Sequence, residues 1–213
     1  PANTFTLAQA LSGPGSLTKL GPGTLTLAGT NTYSGPTTLA AGTLLARGGQ
    51  AIGDLSAVTV AAGATLALAD SETVGSLAGQ GRVALGAARL TAGGDGTSTT
   101  FAGTLDGTGG LIKAGAGTLT LTGTYSGPTT IAAGTLSAAD AAALGTSVAS
   151  VFAGGTLEVN NVILANTLTL AGTGAGGVGA LTGTGTAGVS GAITLAGNAA
   201  LGGRGILTVS GTI

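Results

Sequence analysis

Thr24-Leu-Thr-Leu27 alternates polar and apolar residues, and Val58-Thr-Val60, Leu66-Ala-Leu68, Leu168-Thr-Leu170 and Leu207-Thr-Val209 do the same. A period of two turns leucine or valine to one face of an extended segment and threonine to the other, so each run predicts a half-buried strand, with Leu25 inward and Thr24 outward. Corners separate the strands: Gly21-Pro22-Gly23, Ser34-Gly35-Pro36, Gly93-Gly94-Asp95-Gly96 and Gly202-Gly203. Glycine there can take positive φ, and proline fixes a turn. One helix-like stretch, Ala138–Leu144, is too short for a domain of its own; with its counterpart near Gln50–Gly53 it reads as a bulged corner.

The strands recur at a fixed interval. Ala-Gly followed by Thr-Leu at Gly42 returns at Gly63, and the element at Gly134 returns at Gly154, so two independent intervals agree. A larger repeat contains this one. Gly23-Thr-Leu-Thr-Leu27 recurs as Gly117–Leu121, Tyr33-Ser-Gly-Pro-Thr-Thr38 as Tyr125–Thr130, and Ala40-Ala-Gly-Thr-Leu44 as Ala132–Leu136. Outside these blocks Phe5, Leu17 and Lys19 match Phe101, Leu111 and Lys113, while Leu66 and Leu77 match Leu157 and Leu170, all at nearly the same offset. The pattern predicts an all-β, single-stranded parallel β-helix, or β-solenoid, of roughly ten coils of about 20 residues rising ~4.8 Å each. Residues 1–213 are read as one solenoid, with an internal duplication of about 92 residues covering approximately 5–100 and 101–190.

Composition changes the picture in two places. Three Phe, two Tyr and no Trp or Met cannot anchor an ordinary globular core, whereas stacked ladders of Leu, Val and Ile need no bulky residue. Six basic and seven acidic residues, with a net charge of −1, provide no electrostatic footprint for nucleic acid. Mean hydropathy is +0.57, yet Gly, Thr or Ser interrupts every apolar stretch well before a spanning helix's ~20 residues. The alternating runs are also shorter than membrane-barrel strands, and aromatic girdles are missing. No basic segment followed by an apolar one opens the chain, so a mature, processed or excised piece is expected, with a rod that continues beyond it.

Candidate chemistry is sparse. The carboxylates are Asp54, Asp70, Glu72, Asp95, Asp106, Asp140 and Glu158, and Asp70 with Glu72 is their only close pair. That pair could serve a β-helical polysaccharide hydrolase or lyase, but neither His, a neighbouring Arg nor an aromatic platform accompanies it, and both residues read as solvated corners. Without His or Cys the usual zinc and nucleophile–base systems cannot be built. Gly93–Gly96 resembles part of a calcium-binding nonapeptide but lacks the tandem copy that would gather aspartates. Gly172-x-Gly174-x-x-Gly177 matches the dinucleotide fingerprint only as a string, with no helix or later acid to complete it. Lys19 and Lys113, and Tyr33 and Tyr125, occupy equivalent repeat positions four or five coils apart and read as structural. No catalytic, cofactor-binding or metal-binding residue is therefore assigned, and no cofactor.

Leu17–Leu44 and Leu111–Leu136, and more loosely Ala51–Gly81 and Ala142–Gly174, resemble the passenger-associated transport repeat of bacterial autotransporters. The resemblance implies a right-handed parallel β-helix passenger, secreted through a transient outer-membrane barrel to the cell surface or medium. The expected role is a non-enzymatic stalk, adhesin scaffold or extracellular filament subunit. Its expected partners are its own neighbouring coils, head-to-tail copies of itself, and a host-cell or matrix surface. The enzyme above and an ice- or crystal-surface binder using threonine ladders are the alternatives.

Overall fold

The computed structural model describes residues 3–213. The strands follow one another around three faces, always in the same order. The first face is a continuous ten-stranded sheet running from Leu17–Lys19 to Leu201–Gly203. The second is a six-stranded sheet from Thr4–Leu7 to Thr104–Gly107; loops occupy that position for two coils, and a three-stranded sheet from Ile163–Leu164 to Ile206–Val209 resumes it. Loops cross the third face in the first three coils, after which seven strands run from Glu72–Val74 to Ile193–Ala199. Every strand pair is parallel and joins one coil to the next. This is the β-solenoid of about ten coils that the alternation predicts.

Inward positions stack into ladders. On the second face Leu44, Leu66 and Val83 lie in register and are fully buried. Burying such a side chain contributes about 1.5–3 kcal/mol, and repetition along the rod replaces the large anchors that the composition lacks. The largest fully buried side chain obeys the same register: Phe101 stacks between Gly79 and Leu121, and a Cβ on Gly103 would come within 2.8 Å of its ring. Leu25 takes the inward place expected of it, in register with Leu44, but is less covered. It is only half-buried against the core, because its neighbour in the first coil, Phe5, is itself 62% exposed.

The step from Leu17 to its copy Leu111 is not a whole number of coils. Leu17–Lys19 lies on the first face, whereas Leu111–Lys113 lies on the third; Thr24–Leu27 lies on the second, and its copy Thr118–Leu121 on the first. The second copy is thus turned back by one face, about four and two-thirds coils along. A three-residue, in-out-in strand with glycine corners fits any of the three faces, which is why the sequence tolerates the rotation. The loop that crosses the third face at Tyr33 crosses the second face at Tyr125.

Ala138–Leu144 forms no helix. Its first residue ends the strand Gly134–Ala138, and turns follow, begun where Asp140 Oδ1 accepts the Ala142 N–H at 2.7 Å. The short 3₁₀ turn Ala175–Gly177 is the helical element among the described residues.

Candidate functional site

Strand parity sends several polar residues inward. In Leu111-Ile-Lys113 the lysine shares the buried side with leucine, standing between Ala92 and Ile131 in its ladder. Its ammonium donates to the Ala114, Gly115 and Ala133 carbonyls, so three donors meet three acceptors left free by a corner. Lys19 repeats the arrangement on Leu20, Gly21 and Ala41 at 2.7–3.0 Å. Each lysine ties one corner to the next coil. Gly42 and Gly134 beside these lysines have φ of 72° and 66°, and an added Cβ would come within 2.6 Å of the carbonyl oxygens of Gly21 and Gly23 or of Gly115 and Gly117, which explains the glycine of both Ala-Ala-Gly-Thr-Leu blocks. Burial lowers Lys113 to about 8, the Asp95 charge acting against that shift.

Glu72 is a correction to the solvated corner expected for it. It is 3% exposed and faces inward in register with Leu90. Its carboxylate accepts the N–H groups of Ala51 and Ile52 at 3.2 and 3.0 Å, at the place where a loop on the third face gives way to strand and those groups lack a partner. Desolvation pushes Glu72 up to about 7 against the pull of the two N–H bonds, with the charges of Asp54 and Asp70 adding to the rise. Asp70 is exposed and accepts the Gly48 N–H at 2.9 Å. One carboxylate is inside and the other outside, so the pair does not converge on a cleft.

The two tyrosines are internal struts with different partners. Tyr33 Oη shares a hydrogen bond of 2.7 Å with Thr37 Oγ1, which meets Ser56 Oγ at 2.8 Å, and Ser56 donates to the Gly35 carbonyl. Desolvation raises the Tyr33 phenol despite these bonds. Tyr125 Oη instead donates to the Pro128 and Gly109 carbonyls, leaving Thr129 Oγ1, the counterpart of Thr37, buried without a partner. Asp95 closes a local turn on Thr97 through both N–H and hydroxyl at 2.8 Å. Burial alone would raise Asp95, but hydrogen bonds from Ser76 and Thr97 outweigh it and hold the carboxyl below its usual range. Among the described residues no three acidic side chains gather as a metal site would require.

One surface feature escapes the periodic reading. The coil from Glu158 to Thr182 is longer than the one from Ser137 to Glu158, and the excess forms a hood, Thr173–Gly179, over the outer side of the first face. Thr156 pins the hood, accepting the Ala175 N–H and donating to the Gly179 carbonyl, both at 2.8 Å. Gly174 and Gly177, part of the apparent dinucleotide string, supply its positive-φ turns. Beside it lies a cleft of about 450 Å³ lined by Glu158, Val178, Thr182, Thr184, Gly203 and Arg204. Thr184 donates to Glu158 Oε1 at 2.9 Å, and Arg204 makes no ion pair among the described residues. No local motif announces this site; the over-long coil is the signal that could have found it.

A parallel solenoid whose buried charges, Lys19, Glu72 and Lys113, are tied to backbone groups at its corners is the class defined here. Residues 17–46 and 111–138 match the passenger-associated-transport-repeat, so the chain carries two such repeats in the segments where the resemblance lies. Over 140 residues, 61% of this chain, it is 44% identical to a protein named Adhesin BmaC autotransporter from Brucella suis biovar 1 (strain 1330). The aligned part is 4% of that relative's length. No solved structure matches the chain.

Proposed function

We propose that this chain is a length of non-enzymatic rod in a bacterial surface protein, serving as the stalk or scaffold of an adhesin. The observation that carries the reading is the 44% identity over 140 residues to an autotransporter named as an adhesin. The physical design agrees with it: Lys19, Lys113 and Glu72, charges that an enzyme would place in a cleft, here satisfy corner backbone groups. An outer-membrane barrel is the proposed route to the cell surface, a host-cell or matrix surface the proposed target, and stacking with neighbouring coils or further copies the proposed self-association.

Fusing the chain to an autotransporter barrel tests the route. Protease-sensitive chain on intact cells, with adhesion to host cells above that of the barrel alone, is the expected result. Retention inside the envelope opposes the route, and display with no gain in adhesion opposes the host-surface target and leaves the chain a stalk alone. Depolymerisation of a polysaccharide that is lost in Asp70→Asn or Glu72→Gln would instead favour the enzyme.

A further inference from the structure

Where the Thr173–Gly179 hood meets the first face, its Val178 borders a cleft on that sheet. Gly202 continues the outward row Glu158, Thr182, and its missing side chain lets the Val178 carbonyl settle onto the face; an added Cβ would collide with that oxygen. Glu158 and Arg204 flank the opening. They stand two coils apart, roughly 10 Å along the rod at a strand spacing of ~4.8 Å. Thr182 and Thr184 occupy the floor between them, and exposed Val178 provides an apolar ledge.

This combination selects a ligand chemistry. A guanidinium without a carboxylate partner recognises an anion, best a planar carboxylate that accepts two parallel N–H bonds. Glu158 already accepts from Thr184 and retains lone pairs for hydroxyl donors, while the threonines both donate and accept. Val178 can pack the C–H side of a ring whose edge is hydroxylated. A volume of about 450 Å³ falls within the ordinary range for small-molecule sites. We propose that this cleft binds an acidic sugar unit, with Arg204 holding the carboxylate and Glu158, Thr182 and Thr184 reading the hydroxyls. The assignment does not depend on the scaffold role, since a rod can lack adhesive activity and still hold the sugar. A single carboxylate lines the cleft, whereas glycoside cleavage ordinarily uses two, so the site is one of recognition.

NMR titration of the whole chain with glucuronate, galacturonate and N-acetylneuraminate tests it, with glucose and alanine as neutral and zwitterionic controls. At least one acidic sugar should give saturable shifts at Val178 and Thr182 that weaken with added salt. Arg204→Gln should lower that affinity tenfold or more and Glu158→Gln several-fold, while exposed Arg47→Gln leaves it unchanged. Silence with all three acids, equal binding of glucose or alanine, or undiminished affinity in Arg204→Gln would overturn the assignment. Unchanged circular dichroism in both variants would separate lost recognition from lost fold.

Discussion

A buried hydroxyl or charge in this rod contributes only what its partner allows. Thr37 and Thr129 are equivalent in sequence, yet Thr37 bridges Tyr33 and Ser56 while Thr129 has no partner. Thr37→Val should therefore cost about 1–2 kcal/mol, and Thr129→Val should be neutral or stabilising by up to ~1 kcal/mol, as read by denaturant unfolding. Glu72 adds a pH dependence with a definite sign. Its folded pKa of about 7 lies above the 4.5 of an ordinary glutamate, so the folded state binds the extra proton. That stability is fully present below about pH 4.5 and is lost as pH rises through 7, by up to about 3 kcal/mol. Glu72→Gln should flatten the stability profile between about pH 5 and 8; an unaltered slope would place the titration elsewhere. Both inward residues share parity with apolar neighbours, Lys113 with Leu111 and Glu72 with Val74, a signal that the solvated-corner reading of Glu72 passed over. Their partners were not legible, because they include corner groups of a neighbouring coil, remote in sequence.

At the scale of the element, strands stand on ladders and corners on lysine. Leu44 is fully buried between Leu25 and Leu66, while Thr59 faces out. Leu44→Asp should cost several kcal/mol, Leu25→Asp less because Leu25 is half-buried, and Thr59→Asp within ~0.5 kcal/mol. Equal melting losses for all three would overturn the ladder assignment. Lys113→Met keeps the stem but strands three carbonyls, and should cost about 2–4 kcal/mol by chemical denaturation. Threonine–leucine alternation made the strands legible. The hood was not legible, since Thr173–Gly179 offers only glycine, alanine, threonine and a single valine, and its meaning comes from the coil it overhangs.

Across the whole molecule, successive coils share register and the duplicated segments do not share faces. The near-constant offset between the copies suited a simple stack, but it is not a multiple of the coil length and leaves a remainder of about two-thirds of a turn. Tyr33 and Tyr125 therefore mark different sides of the rod, and a partner reading one loop would not meet its copy along the same stripe. The outward row Thr18, Thr38, Thr59, Ala78, Thr100, Thr120, Ser137, Glu158 runs through seven successive coil steps. Spin labels at positions 18 and 158 measure it directly by electron–electron double resonance. One continuous solenoid in this register predicts a single narrow distance of about 34 Å, from seven steps of ~4.8 Å. A broad distribution, or a peak well below about 30 Å, would contradict it.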